Sequence, residues 1–120
     1  MKTQLLVLPL LLAAVPAAAQ VNPFWSNRTG PRLSQSDQDK LLSSIDQLNH
    51  ATDLHVGSKQ SWSDPTSGNH GTNSVARIFQ SGGLQCHLLH HEISMKGRAA
   101  PRVYNLTWCL TPDGEWKIKQ

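Results

Sequence analysis

Three histidines and two cysteines are the residues whose types and spacing could do chemistry in this chain of 120 residues. His87, His90 and His91 cluster beside Glu92. On a helix, positions 87, 90 and 91 would share a face and could bind a metal. On a strand, His87 and His91 face one way and His90 and Glu92 the other, which leaves at most a loose chelating pair. The local sequence reads as strand. The leading expectation is therefore no metal and no cofactor, with the histidines as polar residues on the wet face of a sheet.

Nucleophilic catalysis would need a serine or cysteine held by a base and an orienting acid. No elbow of the G-x-S-x-G kind frames any serine. The carboxylates are few, and none forms a pair in an apolar setting. No enzymatic activity is expected. Eleven Lys and Arg stand against eight Asp and Glu, a net charge of +3. The positive residues form neither a run nor a stripe interleaved with aromatics, so nucleic acid is not an expected partner.

The first 19 residues read as an export signal. Lys2 gives a positive start, and Leu5 to Val15 is an apolar run broken only by Pro9. Pro16-Ala17-Ala18-Ala19 supplies small residues for cleavage, leaving Gln20 first. The run falls short of the roughly 20 apolar residues a membrane span requires. No later stretch is apolar enough to span, so any membrane attachment is expected to go through a partner. Residues 20–33 read as an irregular lead-in, in which Phe24 and Trp25 either dock on the domain or meet a partner.

The elements that would position these residues follow from periodicity. Ser34 to Leu54 reads as one helix, with Leu41, Leu42, Ile45, Leu48 and Ala51 on one face. Ser34 or Ser36 caps its start, with Asp37 or Asp39 three residues on, and Gly57 is the expected stop. Residues 58–73 are rich in turn formers, and Trp62 among them reads as a core plug. Four strands follow: Val75–Gln80, Leu84–Met95, Ala99–Leu110 and Glu115–Lys119. Ser81-Gly82-Gly83, Gly97-Arg98 and Thr111-Pro112-Asp113-Gly114 are the turns between them. The expected fold is α+β: one N-terminal helix on a four-stranded antiparallel meander with one disulfide, over residues 34–120. Trp62, Trp108 and Trp116 are expected between helix and sheet.

Cys86 and Cys109 are the only cysteines. An even count in an exported chain favours a disulfide. If Gly97 and Arg98 form the turn, positions whose numbers sum to 195 lie opposite each other, and these two do. Pro101 resists that register, because it has no N–H for the ladder, and a bulge near residues 99–101 would be one remedy. A redox or metal-binding cysteine pair is the alternative, disfavoured by the lack of a C-x-x-C spacing.

From about Leu33 to Ile118 the chain resembles the C-terminal domain of the rickettsial 17 kDa surface antigen family. The features occur in order: a Leu-Ser-x-x-Asp-like helix start, then the loop WSDPTSGNHG with Trp62, Pro65, Gly68 and Gly71. Gly83 and Cys86 follow, then a β run to Gly97-Arg98. Cys109, Asp113, Gly114 and Trp116 close the set. Two departures are visible. His87 and Leu110 stand where the family usually has Arg after each cysteine, and there is no lipidated cysteine or glycine zipper. The resemblance implies a bacterial envelope protein, periplasmic or at the cell surface. It implies a structural or interaction module, partnered by an envelope protein or cell-wall component, and assigns no catalytic residues. The alternative is a soluble periplasmic module that binds a metal through the histidines, a small ligand or a target protein.

Overall fold

In the computed structural model, residues 23, 24 and 32–119 are described. The export signal and its cleavage point, Trp25 and most of the lead-in lie outside them.

Helix α1 spans Gln35–Asn49. Its start is a reciprocal capping box. The Asp37 amide donates to Ser34 Oγ at 3.0 Å, and the Ser34 amide donates to Asp37 Oδ2 at 2.9 Å. The helix ends earlier than its apolar pattern suggests. His50 is the C-cap, and Leu54 and Gly57 lie beyond it. Gly57 instead serves a turn leading into the sheet, where its amide donates to the Val75 carbonyl at 2.8 Å.

Five strands follow: β1 Lys59–Ser63, β2 His70–Ser81, β3 Leu84–Ser94, β4 Arg102–Leu110 and β5 Trp116–Ile118. They form one antiparallel sheet whose spatial order is the chain order. The expectation of four strands is corrected by β1, which sits inside the turn-rich stretch 58–73. Lys59–Ser63 holds a single apolar residue, Trp62, so it shows no alternation, and it becomes a strand because it pairs with the first half of β2. Residues 70–73 of that first half also fall in the stretch expected to be loop.

The register between β3 and β4 is the one in which paired numbers sum to 195, from Cys86↔Cys109 to Ile93↔Arg102. Pairing stops there, so Pro101 falls in the open loop between the strands and no bulge near 99–101 is needed. The two-residue turn at Gly97-Arg98 is thereby corrected to a wider connection. Among the described residues, the sheet's register shifts elsewhere, between Val75 and Arg77 in β2. The Cys86–Cys109 disulfide is formed, with Cα atoms 4.1 Å apart.

The core lies between α1 and the sheet. Leu41, Ile45 and Leu48 meet Trp62, Val75, Leu89, Ile93 and Trp108, with Leu33, Met95 and Phe24 closing the edges. Phe24 is buried and packs edge-on to His91 and Tyr104, so this lead-in residue docks on the domain. Among the described residues, no helix is long and apolar enough to cross a membrane.

Candidate functional site: polar contacts inside the helix–sheet interface

The buried stripe of α1 is Asp37, Leu41, Ser44, Ile45, Leu48 and Asn49. Three of these six are polar. Each meets polar side chains rising from the sheet or its loops, so hydrogen bonds as well as packing fix the register of helix on sheet.

The first contact is at the N-terminus of α1. Asp37 is fully buried, and its carboxylate accepts from Ser67 Oγ at 2.6 Å and from Asn69 Nδ2 at 2.8 Å, besides the Ser34 amide. Burial alone would raise its pKa. The bonds from Ser67, Asn69 and Ser34 outweigh that and hold the carboxyl below its ordinary range. Asn69 Oδ1 in turn accepts from the Lys96 amide at 2.9 Å, just past the end of β3. One carboxylate therefore ties together the helix start, the β1–β2 loop and the β3–β4 connection.

That loop is the WSDPTSGNHG segment. Asp64 starts it. Its side chain accepts from the Thr66 amide at 3.0 Å, and its carbonyl accepts from the Gly68 amide at 2.8 Å. Pro65 occupies the exposed turn between them. Gly68 has φ +77°, where a side chain is strained, and a Cβ there would also press on the Lys96 side chain. Gly71 is required for space: opposite it in register is Trp62, and a Cβ at 71 would come within 2.5 Å of Trp62 Nε1 and of the Glu92 carbonyl. Trp62 is a core plug, but on a strand.

The second contact is a chain of hydrogen bonds through the centre of the interface. Trp108 Nε1 donates to His91 Nε2 at 3.1 Å. An indole N–H can only donate, so Nε2 accepts and the His91 proton sits on Nδ1. Nδ1 therefore donates to Asn73 Oδ1 at 2.7 Å. Asn73 Nδ2 donates to Ser44 Oγ at 2.7 Å, and Ser44 donates to the Leu41 carbonyl at 2.7 Å. His91 is a neutral imidazole with both nitrogens satisfied. Burial, helped by the neighbouring His90, pushes its pKa down to about 3.

The third contact pairs His87 Nδ1 with Asn49 Oδ1 at 2.8 Å. The His87 ring stacks on Trp116 with centroids 4.1 Å apart, and burial lowers its pKa. His87 Nε2 and Asn49 Nδ2 are buried without a hydrogen-bond partner.

His90 alone of the three histidines lies on the outer face. It bonds Asn105 at 2.8 Å and Glu92 at 3.2 Å, contacts that raise its pKa. The strand alternation read from the sequence is therefore present, but the wet-face expectation is corrected for His87 and His91, which are fully buried. The metal candidates are split between two faces, and among the described residues no three His, Cys, Asp or Glu side chains gather as a metal site. The remaining motif residues build turns. Gly97 and Gly114 take positive φ, and Asp113 accepts from Thr111 Oγ1 inside the Thr111–Glu115 turn. Trp116 and Trp108 line the inner face at the far end of the sheet.

Sequence reasoning missed Ser44, Asn49, Asn69 and Asn73. Ser44 and Asn49 carried a visible signal, since each interrupts the apolar stripe of α1. Asn69 and Asn73 had none beyond their place in or beside the loop.

These features define a disulfide-stapled domain of one helix on a curled antiparallel sheet, its interface keyed by polar side chains. The chain is 26% identical over 107 residues to two proteins of Rickettsia bellii, one of strain RML369-C, each named 17 kDa surface antigen. The match covers 89% of this chain and 65% of each relative, so the chain spans just under two thirds of the curated relatives it matches. It supports the relationship to that family drawn from the motifs. No family model matches the chain, and no solved structure matches it.

Proposed function

We propose that this chain is an exported bacterial cell-envelope protein acting as a non-enzymatic structural or interaction module. The observation that carries this reading is the use made of the shared motif. Trp62, Gly68, Gly71, Asp113 and Gly114 build turns, close packing and the core, while Ser67 and Asn69 are spent on Asp37. On this reading, the motif that resembles the surface antigens serves as a scaffold. The disulfide suits an oxidising compartment. Residues 1–19 supply the route as a cleaved export signal, and the partner is an envelope protein or cell-wall component.

Fractionation of the native host with intact mass on the recovered protein tests this. The expected result is a chain beginning near Gln20, two hydrogens lighter than its reduced mass, sedimenting with envelope material and crosslinking there to a partner. A full-length, reduced chain in the cytoplasm would contradict it.

A further inference from the structure

The sheet has two edges, and the chain treats them differently. At one edge, β5 is three residues long and carries charge in and around it at Glu115, Lys117 and Lys119. Short, charged edges of that kind deter pairing with another chain. At the other edge, β1 runs for five residues with no proline, and it pairs with β2 without a register shift. Lys59 is its one charge.

The ladder fixes which backbone groups of β1 face outward. The Val75 amide donates to the Ser58 carbonyl and the Asp64 amide to the Asn69 carbonyl, each at 2.9 Å. Bonding alternates along an antiparallel pair, so residues 58, 60, 62 and 64 turn their N–H and C=O groups toward β2. Lys59, Ser61 and Ser63 turn theirs away from it, and all three residues are exposed. No described residue bonds the backbone of Ser61 or Ser63. Nor does α1 cap this edge. A groove of about 320 Å³ lies between the two elements, lined by Asp39, Lys40, Ser43 and Gln47 of the helix and by Ser61 and Ser63.

We propose that this edge is a self-association surface, at which β1 of a second copy adds antiparallel about a two-fold axis through Ser61. A row of outward N–H and C=O groups is the complement of another extended strand. The row also selects the register. Centred on Ser61, it sets Lys59 opposite Ser63 and Ser61 opposite itself, and every outward group on both copies is bonded. Centring on Gln60 leaves Ser63 without a partner in β1, and centring on Trp62 does the same to Lys59. In the Ser61 register no like charges meet, since each lysine faces a serine. The flank of α1 that comes to face its own copy carries Asp39 beside Lys40, so it presents no single-sign field to repel that copy. Such a contact closes on itself, because it occupies β1 on both copies and leaves the blunted β5 edges outside. The inference goes beyond the envelope reading and does not rest on where the protein resides.

The test is sedimentation of the oxidised protein from about 10 μM to about 1 mM, with backbone amide hydrogen exchange at both ends of that range. The parent should form a dimer with a Kd on the order of 100 μM, as suits a small interface. The amides of Lys59, Ser61 and Ser63 should become protected as the dimer forms. Ser61→Pro removes an outward N–H and leaves the bonds to β2 in place, so the dilute protein should still unfold cooperatively while association weakens by about tenfold or more. Ser61→Lys sets lysine opposite lysine at the axis and should weaken association likewise. Ser63→Glu gives each Lys59 a carboxylate to face and should tighten the dimer roughly threefold or more. A parent that stays monomeric to about 1 mM overturns the proposal, as does a dimer that both Ser61 variants leave intact. Assembly beyond the dimer contradicts the closed two-fold, and a Ser63→Glu variant no tighter than the parent contradicts the register. A monomer whose Ser61 and Ser63 amides are protected only when host envelope extract is added also overturns it, and assigns the edge to a different partner.

Discussion

The two ends of the helix–sheet interface are built from the same materials and finished differently. From the start of α1 through the centre of the interface, every side-chain polar group of Asp37, Asn73 and His91 is answered by another side chain or the backbone. At the far end, His87 and Asn49 answer each other and stop. The first arrangement specifies how the helix sits. The second leaves two groups unpaired, as Trp62 Nε1 and Asp64 Oδ2 are beside the β1–β2 loop, each at a cost of ~1–3 kcal/mol. A buried histidine is therefore no sign of function by itself.

Asp37→Ala should have the largest effect, because it removes the carboxylate half of the capping box and strands the donors of Ser67 and Asn69. A loss of about 3–4 kcal/mol is expected in denaturant unfolding. A loss below 1 kcal/mol would show that the closed end is not held by this carboxylate. Next comes the disulfide, which joins positions 23 residues apart at the open end of the sheet. Replacing both cysteines with Ala should cost about 3 kcal/mol in the chain-entropy model, measured without reductant on either protein.

The histidines sharpen the comparison through pH. His91 is held neutral in the folded chain, at a pKa of about 3 against 6.5 in the unfolded chain. The stability it permits is fully present above pH 6.5 and is lost as pH falls from there toward 3. The slope is up to about 1.4 kcal/mol per pH unit. His87 adds loss in the same direction. His90 opposes it, since its raised pKa favours the folded state below 6.5. Asp37 contributes only in stronger acid, because its lowered pKa makes its contribution fail below the ordinary carboxylate value of 3.8. Unfolding midpoints between pH 7 and 4.5 should therefore drop, and the drop should flatten in His91→Leu. The smallest effect belongs to the open end. His87→Phe keeps the ring stack on Trp116 but exchanges one unpaired atom, His87 Nε2, for another, Asn49 Oδ1, so stability at pH 7 should fall by about 1 kcal/mol, the worth of the bond lost.

Much of the fold was legible because its signals are local. The helix cap, narrowed to Ser34 or Ser36 with Asp37 or Asp39, the four later strands and the pairing of the cysteines all follow from spacing within short windows. Strand β1 was not, since Lys59–Ser63 becomes a strand only through its pairing with β2. The histidines show the same limit at the level of the site. Alternation put His87 and His91 on one face, but which face is buried depends on where α1 lies, and that is set by Asn73, Ser44 and Asn49 across 18 to 38 residues of sequence. Polar residues on a strand look wet until their distant partners are known.

The most direct measurement is a histidine side-chain NMR titration of the oxidised protein from pH 8 to pH 4. His91 should stay neutral throughout, locked with its proton on Nδ1, while His90 titrates above 6.5. A His91 that titrates near 6.5, or carries its proton on Nε2, would mean that this face of β3 is solvated and that the polar interface described here does not hold the fold together.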